Sequence, residues 1–209
     1  NFQLRDNLEV KFLCKVDFFS RSGQFVIIAK NIDPVYTLGK LAQNRQRLIA
    51  ELKEKGILDR NKALPLPLVP LNIGLITSYN SAAYHDFLSE LKLSGFGFKV
   101  YCFDSFMQGD NVKSDVCLAM DIFNGLEYLD AVVITRGGGS TADLSWFDNK
   151  KIAERIALSK LPVLSGIGHE INITITDLAS FQFMKTPTAL AQFLVNRVKE
   201  FIEETDEKF

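Results

Sequence analysis

The residues best suited to chemistry lie in one short stretch, where an apolar run at residues 131–135 ends in Arg136, three glycines and Ser140. Glycines leave backbone N–H groups uncovered, and Arg136 adds a permanent, fork-shaped cation beside them. Uncovered N–H groups and a guanidinium are donors that bind a phosphate or another oxyanion. The stretch therefore predicts chemistry on a phosphorylated or polyanionic ligand, although a glycine turn after a strand also fits a purely structural role.

Three further polar clusters follow apolar runs in the same way. The first begins at Ser78 and continues into a helical segment with His85 and Asp86; the others are residues 104–110 and residues 166–170. Ligands bind beyond the carboxyl ends of the strands in an open parallel sheet. If the apolar runs form such a sheet, we expect all four clusters to meet at one edge.

His169, in the last cluster, is the best candidate for acid–base work, because an imidazole pKa near ~6.5 suits proton transfer at neutral pH. Asp86 is a candidate to orient His169 or to assist the proton transfer. Both residues also have structural interpretations, His169 as a capping residue between glycine turns and Asp86 as an exposed helix position. We interpret His85 as a surface residue or as a residue that supports the site without contacting the ligand.

The scaffold for these residues is predicted from hydrophobic spacing, which alternates between strand and helix after residue 70. The predicted strands are residues 73–77, 99–103, 131–135 and 162–165, and the helices between them are residues 82–93, 112–128 and 150–159. A final helix is predicted to begin at Thr186 and Pro187, with Thr186 as its N-cap. This alternation predicts an α/β fold, a doubly wound parallel sheet with helices on both faces.

The N-terminal part has a different pattern. Residues 10–19 and 24–32 predict a β-hairpin with Gly23 in its turn, residues 37–58 predict a helix that ends near Gly56, and residues 64–70 form a proline-rich connector. Phenylalanines alternate with basic residues in the hairpin, which fits base stacking or, as we favour for most of them, core positions. These phenylalanines are Phe12, Phe18, Phe19 and Phe25.

Composition excludes several classes of protein. A hydrophobic content of 47% and a charged content of 23% are typical of a globular protein, and no apolar run reaches the ~20 residues of a membrane span. The polar first residues do not fit a signal peptide, and the lack of an initial Met predicts a fragment. Three scattered cysteines predict buried, reduced thiols and a cytoplasmic location, and with only two histidines a zinc site is not expected.

Two nucleotide-binding signatures are absent. No Gly-Lys-Ser/Thr follows the three glycines, so the stretch is not a Walker loop. The glycines also belong to the third strand and turn of the predicted sheet, which does not fit a dinucleotide fingerprint. A nucleotide-dependent enzyme of the doubly wound class is therefore the weakest of the functional hypotheses.

The motifs in this order resemble the large-subunit family of bacterial exodeoxyribonuclease VII. The resemblance runs through IGLITSYNSAAYHDFL at 73–88, QGD at 108–110, RGGGSTADLSWFD at 136–148, GIGHE at 166–170, TDLAS at 176–180 and KTPTALAQ at 185–192. Order and spacing match across about 72–195, and the N-terminal part is a looser match to the end of that family's oligonucleotide-binding (OB) barrel and its linker helix.

The resemblance implies a division of the chain and a set of partners. The implied domains are residues 1–35 as a partial OB-like nucleic-acid-binding segment, 36–70 as linker helix and connector, 71–185 as the α/β catalytic domain, and 186–209 as the start of a C-terminal helical region. The implied partners are single-stranded DNA and a small helical subunit bound through the C-terminal helical region, with no membrane. The implied activity is hydrolysis of single-stranded DNA to oligonucleotides without a cofactor or a divalent metal.

The resemblance also implies site residues. The active-site residues would be Asp86, Arg136 and His169, with Asn172, Glu170 and Asp177 as auxiliary residues and no metal ligands. Independently of the resemblance, the polar clusters at the strand ends predict Gly137, Gly138, Gly139, Ser140 and Ser78 as phosphate-binding residues. Asn172 departs from the family's usual pattern, which has an acid three residues after the histidine. This departure supports an alternative hypothesis, a catalytically impaired subunit that binds DNA or another anion.

Overall fold

The computed structural model describes residues 9–21, 23–138, 141–168 and 173–207. The chain forms two compact units, Asn1–Ala50 and Glu51–Phe209. The four-part division implied by the resemblance stays a prediction.

In the first unit, the predicted hairpin is confirmed. Strands β1 (Lys11–Phe19) and β2 (Gln24–Asp33) pair in antiparallel register, and Gly23 closes the turn with φ at +65°. The core positions expected for the phenylalanines are wrong: all four are exposed, and Phe18 contacts Phe25 across the strands at a ring distance of 4.9 Å. Alternating hydrophobic residues form a buried face only where another layer of secondary structure covers the hairpin. The described part of this unit contains no such layer.

Helix α1 (Pro34–Glu54) begins and ends earlier than the predicted 37–58. Its start is fixed by Asp33, whose Oδ1 accepts a hydrogen bond from Tyr36 N at 3.2 Å, and by a proline at the first helical position. Gly56 ends the helix in the left-handed conformation, with φ at +63°, as its position in the sequence predicts.

The second unit contains a five-stranded, entirely parallel sheet, which confirms the predicted fold class. Its strands are β3 (Asn72–Thr77), β4 (Lys99–Asp104), β5 (Ala131–Thr135), β6 (Val163–Gly166) and β7 (Gln182–Phe183). Their spatial order is β4-β3-β5-β6-β7. The four predicted strands agree with the structure within two residues, and β7 was not predicted.

Six helices connect and cover these strands in the described residues of the second unit. They are α2 (Ala82–Leu93), α3 (Val112–Phe123), α4 (Thr141–Leu144), α5 (Lys150–Ala157), α6 (Ile175–Ala179) and α7 (Pro187–Asp206), together with 3-10 turns at Asn61–Ala63 and Ser145–Phe147. The prediction that α3 reaches residue 128 is wrong: tight turns follow Phe123, where Gly125 N donates to Ile122 O at 3.0 Å. Thr186 caps α7 as predicted, accepting from Ala189 N at 3.0 Å.

Helices cover both faces of the sheet. Ile73 and Leu75 of β3 lie in a buried cluster with Phe87 of α2 and Leu194 of α7. Between them, Gly74 faces the other side, where a Cβ would stand 2.8 Å from the ring of Phe123 in α3.

Helix α7 packs against the end of β6 at Gly166. A Cβ at this glycine would stand 2.5 Å from Leu190 Cδ1 and 3.0 Å from Thr135 Oγ1. The close approach of α7 to the sheet therefore depends on the missing side chain.

The cysteines are free, as predicted, but the expectation that they are buried is wrong. Cys14 and Cys102 are exposed, because they lie on the uncovered hairpin and on the edge strand β4, and Cys117 is half-buried. Partial enclosure of the Cys102 thiol, with Asp104 nearby, raises its pKa to about 11. None of the helices in the described ranges has the length and apolar character needed to cross a membrane.

Candidate active site

The strand order predicts a ligand crevice between the carboxyl ends of β3 and β5. β3 comes first in the sheet, and the chain then adds β4 on one side and β5 on the other, so the order reverses at β3. In open α/β sheets, ligands bind at such a reversal, beyond the carboxyl ends of the strands. Ser78, half-buried, directly follows β3, and Arg136 directly follows β5.

Arg136 is a buried charge whose hydrogen-bonding capacity is only partly used. The residue is 7% exposed, its Nε donates to Gly137 O at 3.2 Å, and its Nη2 lies 3.9 Å from Asp143 Oδ2. Its Nη1 is buried and has no hydrogen-bond partner among the described residues. Burial lowers the pKa of the guanidinium, and Asp143 acts in the opposite direction.

The turn after Arg136 lies against the first turn of α2. A Cβ at Gly137 would stand 3.8 Å from Ala83 N, in ordinary contact, while a Cβ at Gly138 would meet open space. Ser81 caps α2, its Oγ accepting from Tyr84 N at 3.2 Å. The exposed Gly138 backbone and the positive end of α2 therefore border the same crevice as Arg136.

Asp86 lies on α2, three residues after Ala83 and so about one helical turn further from the crevice. It is exposed, and in the described part of the chain it has no hydrogen bond or ion pair. His85 is exposed as predicted, with its ring 5.3 Å from the ring of Tyr84. Asp86 is therefore accessible to solvent in the N-terminal half of α2, the half that begins at the carboxyl edge of the sheet.

A second buried polar atom without a partner lies at the end of β3. Thr77 is fully buried, and its Oγ1 has no hydrogen-bond partner among the described residues. Buried polar atoms are normally paired, so two unpaired ones at the ends of adjacent strands are unusual. Thr77 was not a candidate in the sequence, where a threonine at the end of an apolar run carries no distinguishing signal.

Asp177 has the opposite environment. It is 1% exposed, and its carboxylate accepts hydrogen bonds from Ser165 Oγ at 2.7 Å, Gly168 N at 3.2 Å, Thr174 N at 2.9 Å and Thr174 Oγ1 at 2.7 Å. Gly168 and Thr174 flank the segment that contains His169. One carboxylate therefore holds the described residues on both sides of that segment.

Several predicted site residues lie outside the described residues. These are Gly139, Ser140, His169, Glu170 and Asn172. The structure thus brings Ser78, Arg136, Gly137 and Gly138 to one crevice, with Asp86 on the adjoining helix, and the roles of all predicted site residues stay predictions. Within the described ranges, no three His, Cys, Asp or Glu side chains are grouped to hold a metal ion, and metal independence also stays a prediction.

Comparisons with known proteins give one consistent match. A family profile described as Exonuclease VII, large subunit, matches residues 57–208. Two relatives from Clostridium kluyveri, both named exodeoxyribonuclease 7 large subunit, are each 29% identical to the chain over 203 residues. These matches cover 97% of the chain and 50% of each relative, so the chain spans about half the length of the curated relatives it matches.

Proposed function

Because the chain belongs to the exonuclease VII large-subunit family, we propose that it is part of an enzyme that hydrolyses phosphodiester bonds of single-stranded DNA to oligonucleotides. The observation that carries this proposal is the buried Arg136 beside the Gly137 turn, whose Nη1 has no hydrogen-bond partner among the residues that the structure describes. A phosphodiester is the group that such a donor arrangement accepts, since its two non-bridging oxygens share one negative charge.

Arg136 would act on the charge that develops during hydrolysis. Attack of water increases the negative charge on the phosphoryl oxygens, and a guanidinium already held in a dry crevice stabilises that charge without reorganising. The N–H groups of the glycine turn and the positive end of α2 add donors in the same direction.

Proton transfers are assigned to His169, with Asp86 as its partner. Hydrolysis needs a base to activate the water and an acid to protonate the leaving oxygen, and imidazole serves either role near neutral pH. Asn172 can orient a histidine by a hydrogen bond, but it cannot raise the basicity of the imidazole as a carboxylate would.

The remaining parts of the proposal follow the family. The full-length protein would act with a small helical subunit bound through the C-terminal helical region, would need no divalent metal, and would work in the cytoplasm, where free cysteines stay reduced. The N-terminal hairpin would be part of an OB-type DNA-binding barrel.

The proposal is tested with the full-length protein and its small subunit on end-labelled single-stranded DNA in EDTA. We expect the wild-type enzyme to release short fragments, and Arg136→Met to lower the rate about 10²–10³-fold, the usual cost of removing one charge-stabilising donor. His169→Ala should also abolish release. Arg155→Met is the control, because Arg155 is an exposed arginine that pairs with Asp121 on the outer surface.

A second candidate function is a subunit that binds DNA without cutting it, favoured by Asn172 at the position where the family has an acid. Binding of single-stranded DNA with no fragment release would support this candidate and overturn the first. The variant Asn172→Asp separates the two: a large rise in rate would show that the missing acid limits the site.

A further inference from the structure

We propose that Tyr79 and Phe106 form a base-stacking surface that binds unpaired bases of the DNA strand beside the reacting phosphate. This inference rests on the proposed function and adds to it the part of the site that recognises single strands. Neither residue belongs to the catalytic or phosphate-binding candidates.

The register of the sheet places the two residues at the same edge. Thr77 of β3 pairs with Asp104 of β4, and Tyr79 and Phe106 each follow two residues after this pair. Two hydrogen bonds join the segments beyond the strands: Ser105 N donates to Thr77 O at 3.0 Å, and Tyr79 N donates to Asp104 Oδ1 at 2.8 Å. Tyr79 and Phe106 therefore follow the ends of neighbouring strands, and hydrogen bonds join these two ends.

Both side chains are exposed although their backbones are anchored. Tyr79 is 55% exposed and Phe106 is 60% exposed. The ring of Tyr79 lies 5.1 Å from the ring of Tyr84 in α2, and Phe106 N donates to Asp115 Oδ2 at 3.1 Å. Rings presented on a fixed backbone bind a flat partner at a lower entropic cost than rings on a loose loop.

The distance from the phosphate position suits a nucleotide. β3 lies between β4 and β5, and neighbouring strands are ~4.8 Å apart, so the ends of β4 and β5 are separated by about 10 Å. Arg136 stands at one side of this span and Phe106 at the other, with Tyr79 between them. A phosphate held at Arg136 would therefore have space for an attached base on the side where Tyr79 and Phe106 lie.

The charges at the ends of β5 and β4 also favour phosphate beside Arg136 and bases beside Phe106. Arg136, in a long ion pair with Asp143, lies at the end of β5, whereas the segment 104–110 after β4 contains two exposed carboxylates, Asp104 and Asp110, and no Lys or Arg. Carboxylates repel a phosphate backbone, but the face of a base stacks on an aromatic ring whatever its sequence. The β5 side therefore favours phosphate and the β4 side favours bases.

Base stacking at this edge would select single strands. In a duplex, both faces of each base are already occupied by neighbouring pairs, and a protein ring gains access only after unpairing and unstacking, which costs a few kcal/mol. An unpaired base needs neither step.

The experiment compares cleavage of two oligomers of equal length by the assembled full-length enzyme. One is oligothymidylate. In the other, stable tetrahydrofuran abasic sites replace most of the nucleotides, so that all phosphates remain and most bases are absent. For Tyr79→Ala and for Phe106→Ala, we expect KM for oligothymidylate to rise about tenfold. We expect kcat and the melting temperature to stay unchanged, and KM for the abasic oligomer to stay at the wild-type value.

Two further variants sharpen the comparison. Tyr79→Trp should restore the wild-type KM, because indole stacks at least as well as phenol. Tyr128→Ala is the matched control: Tyr128 is 50% exposed and lies 5.0 Å from the ring of Tyr101, but it precedes β5 and so belongs to the opposite edge of the sheet. Tyr128→Ala should leave KM unchanged for oligothymidylate and for the abasic oligomer.

The outcomes are distinguishable. Equal weakening of both oligomers, no weakening of either, or the same effect from Tyr128→Ala would overturn this inference and leave the proposed function intact. A wild-type enzyme that leaves both oligomers intact in EDTA would overturn the proposed function, and this inference with it.

Discussion

Two buried charges near the carboxyl edge of the sheet, Arg136 and Asp177, differ in how they are satisfied. Asp177 accepts four hydrogen bonds from three residues around it. Arg136 has one bond to its own turn, one long ion pair and one nitrogen with no described partner. The Asp177 carboxylate therefore stabilises the fold, whereas the Arg136 guanidinium can still donate hydrogen bonds to a ligand. Burial alone therefore does not separate a structural charge from a functional one, whereas hydrogen-bond satisfaction does.

The largest effect on stability is expected for Asp177→Ala. This change leaves up to four buried donors without an acceptor, and we expect the free energy of unfolding to fall by about 3 kcal/mol. Urea unfolding of the chain at neutral pH measures the loss. Asp177→Asn, which keeps the size and one acceptor oxygen, should lose less; an unchanged midpoint for Asp177→Ala would contradict the structural role.

A smaller effect on stability is expected for Arg136→Met, without the large loss expected for Asp177→Ala. Methionine fills a similar volume without a buried charge, so the free energy of unfolding should stay within about 1 kcal/mol of wild type or rise. The same urea titration measures it, and the activity assay supplies the contrast, since cleavage should be nearly lost. A loss of stability as large as that of Asp177→Ala would show that Arg136 also holds the fold together.

The smallest effect is expected at a surface cluster, where Glu51 pairs with Lys150 and with Lys55 at 3.0 Å. These two lysines lower the pKa of Glu51 from its ordinary 4.5 to about 2. A lowered pKa stabilises the fold above pH 4.5, and the contribution is lost as pH falls towards 2. Lys150→Gln should lower the melting temperature only slightly at pH 7, because the pair is solvated. Melting curves should converge with wild type near pH 2; a gap that persists there would contradict this assignment.

Much of the fold was predictable, because the strands of the sheet core are apolar runs bounded by turn residues. The elements that sequence patterns missed are short: β7 has two residues, and α4 and α6 have four and five. Their hydrophobic period is too brief to recognise, and they form because neighbours supply partners. Asn61 is a similar case, since its amide donates to Ile156 O and Leu161 O and accepts from Val163 N, contacts that no local pattern shows.

The positions of the described candidate residues were predictable, but their burial and hydrogen bonding were not. The convergence of polar clusters on one edge follows from parallel strands, and the structure places Ser78, Arg136 and Gly137 there. The sequence did not reveal that Arg136 is buried or that Thr77 Oγ1 has no hydrogen-bond partner in the described ranges, because both depend on packing between elements distant in sequence. The exposed phenylalanines of the hairpin could not be predicted for the same reason. Alternating residues predict an apolar face, but its burial depends on a second layer of structure.

The contact between Gly166 and Leu190 has a consequence for the substitutions that the chain can accept. Leu190 of α7 occupies the space that a side chain at residue 166 would need. A larger residue at 166 would have to displace the Leu190 side chain and would also press on Thr135 Oγ1, so positions 166 and 190 constrain each other. The glycine that opens the GIGHE motif therefore sets how closely the C-terminal helix approaches the sheet.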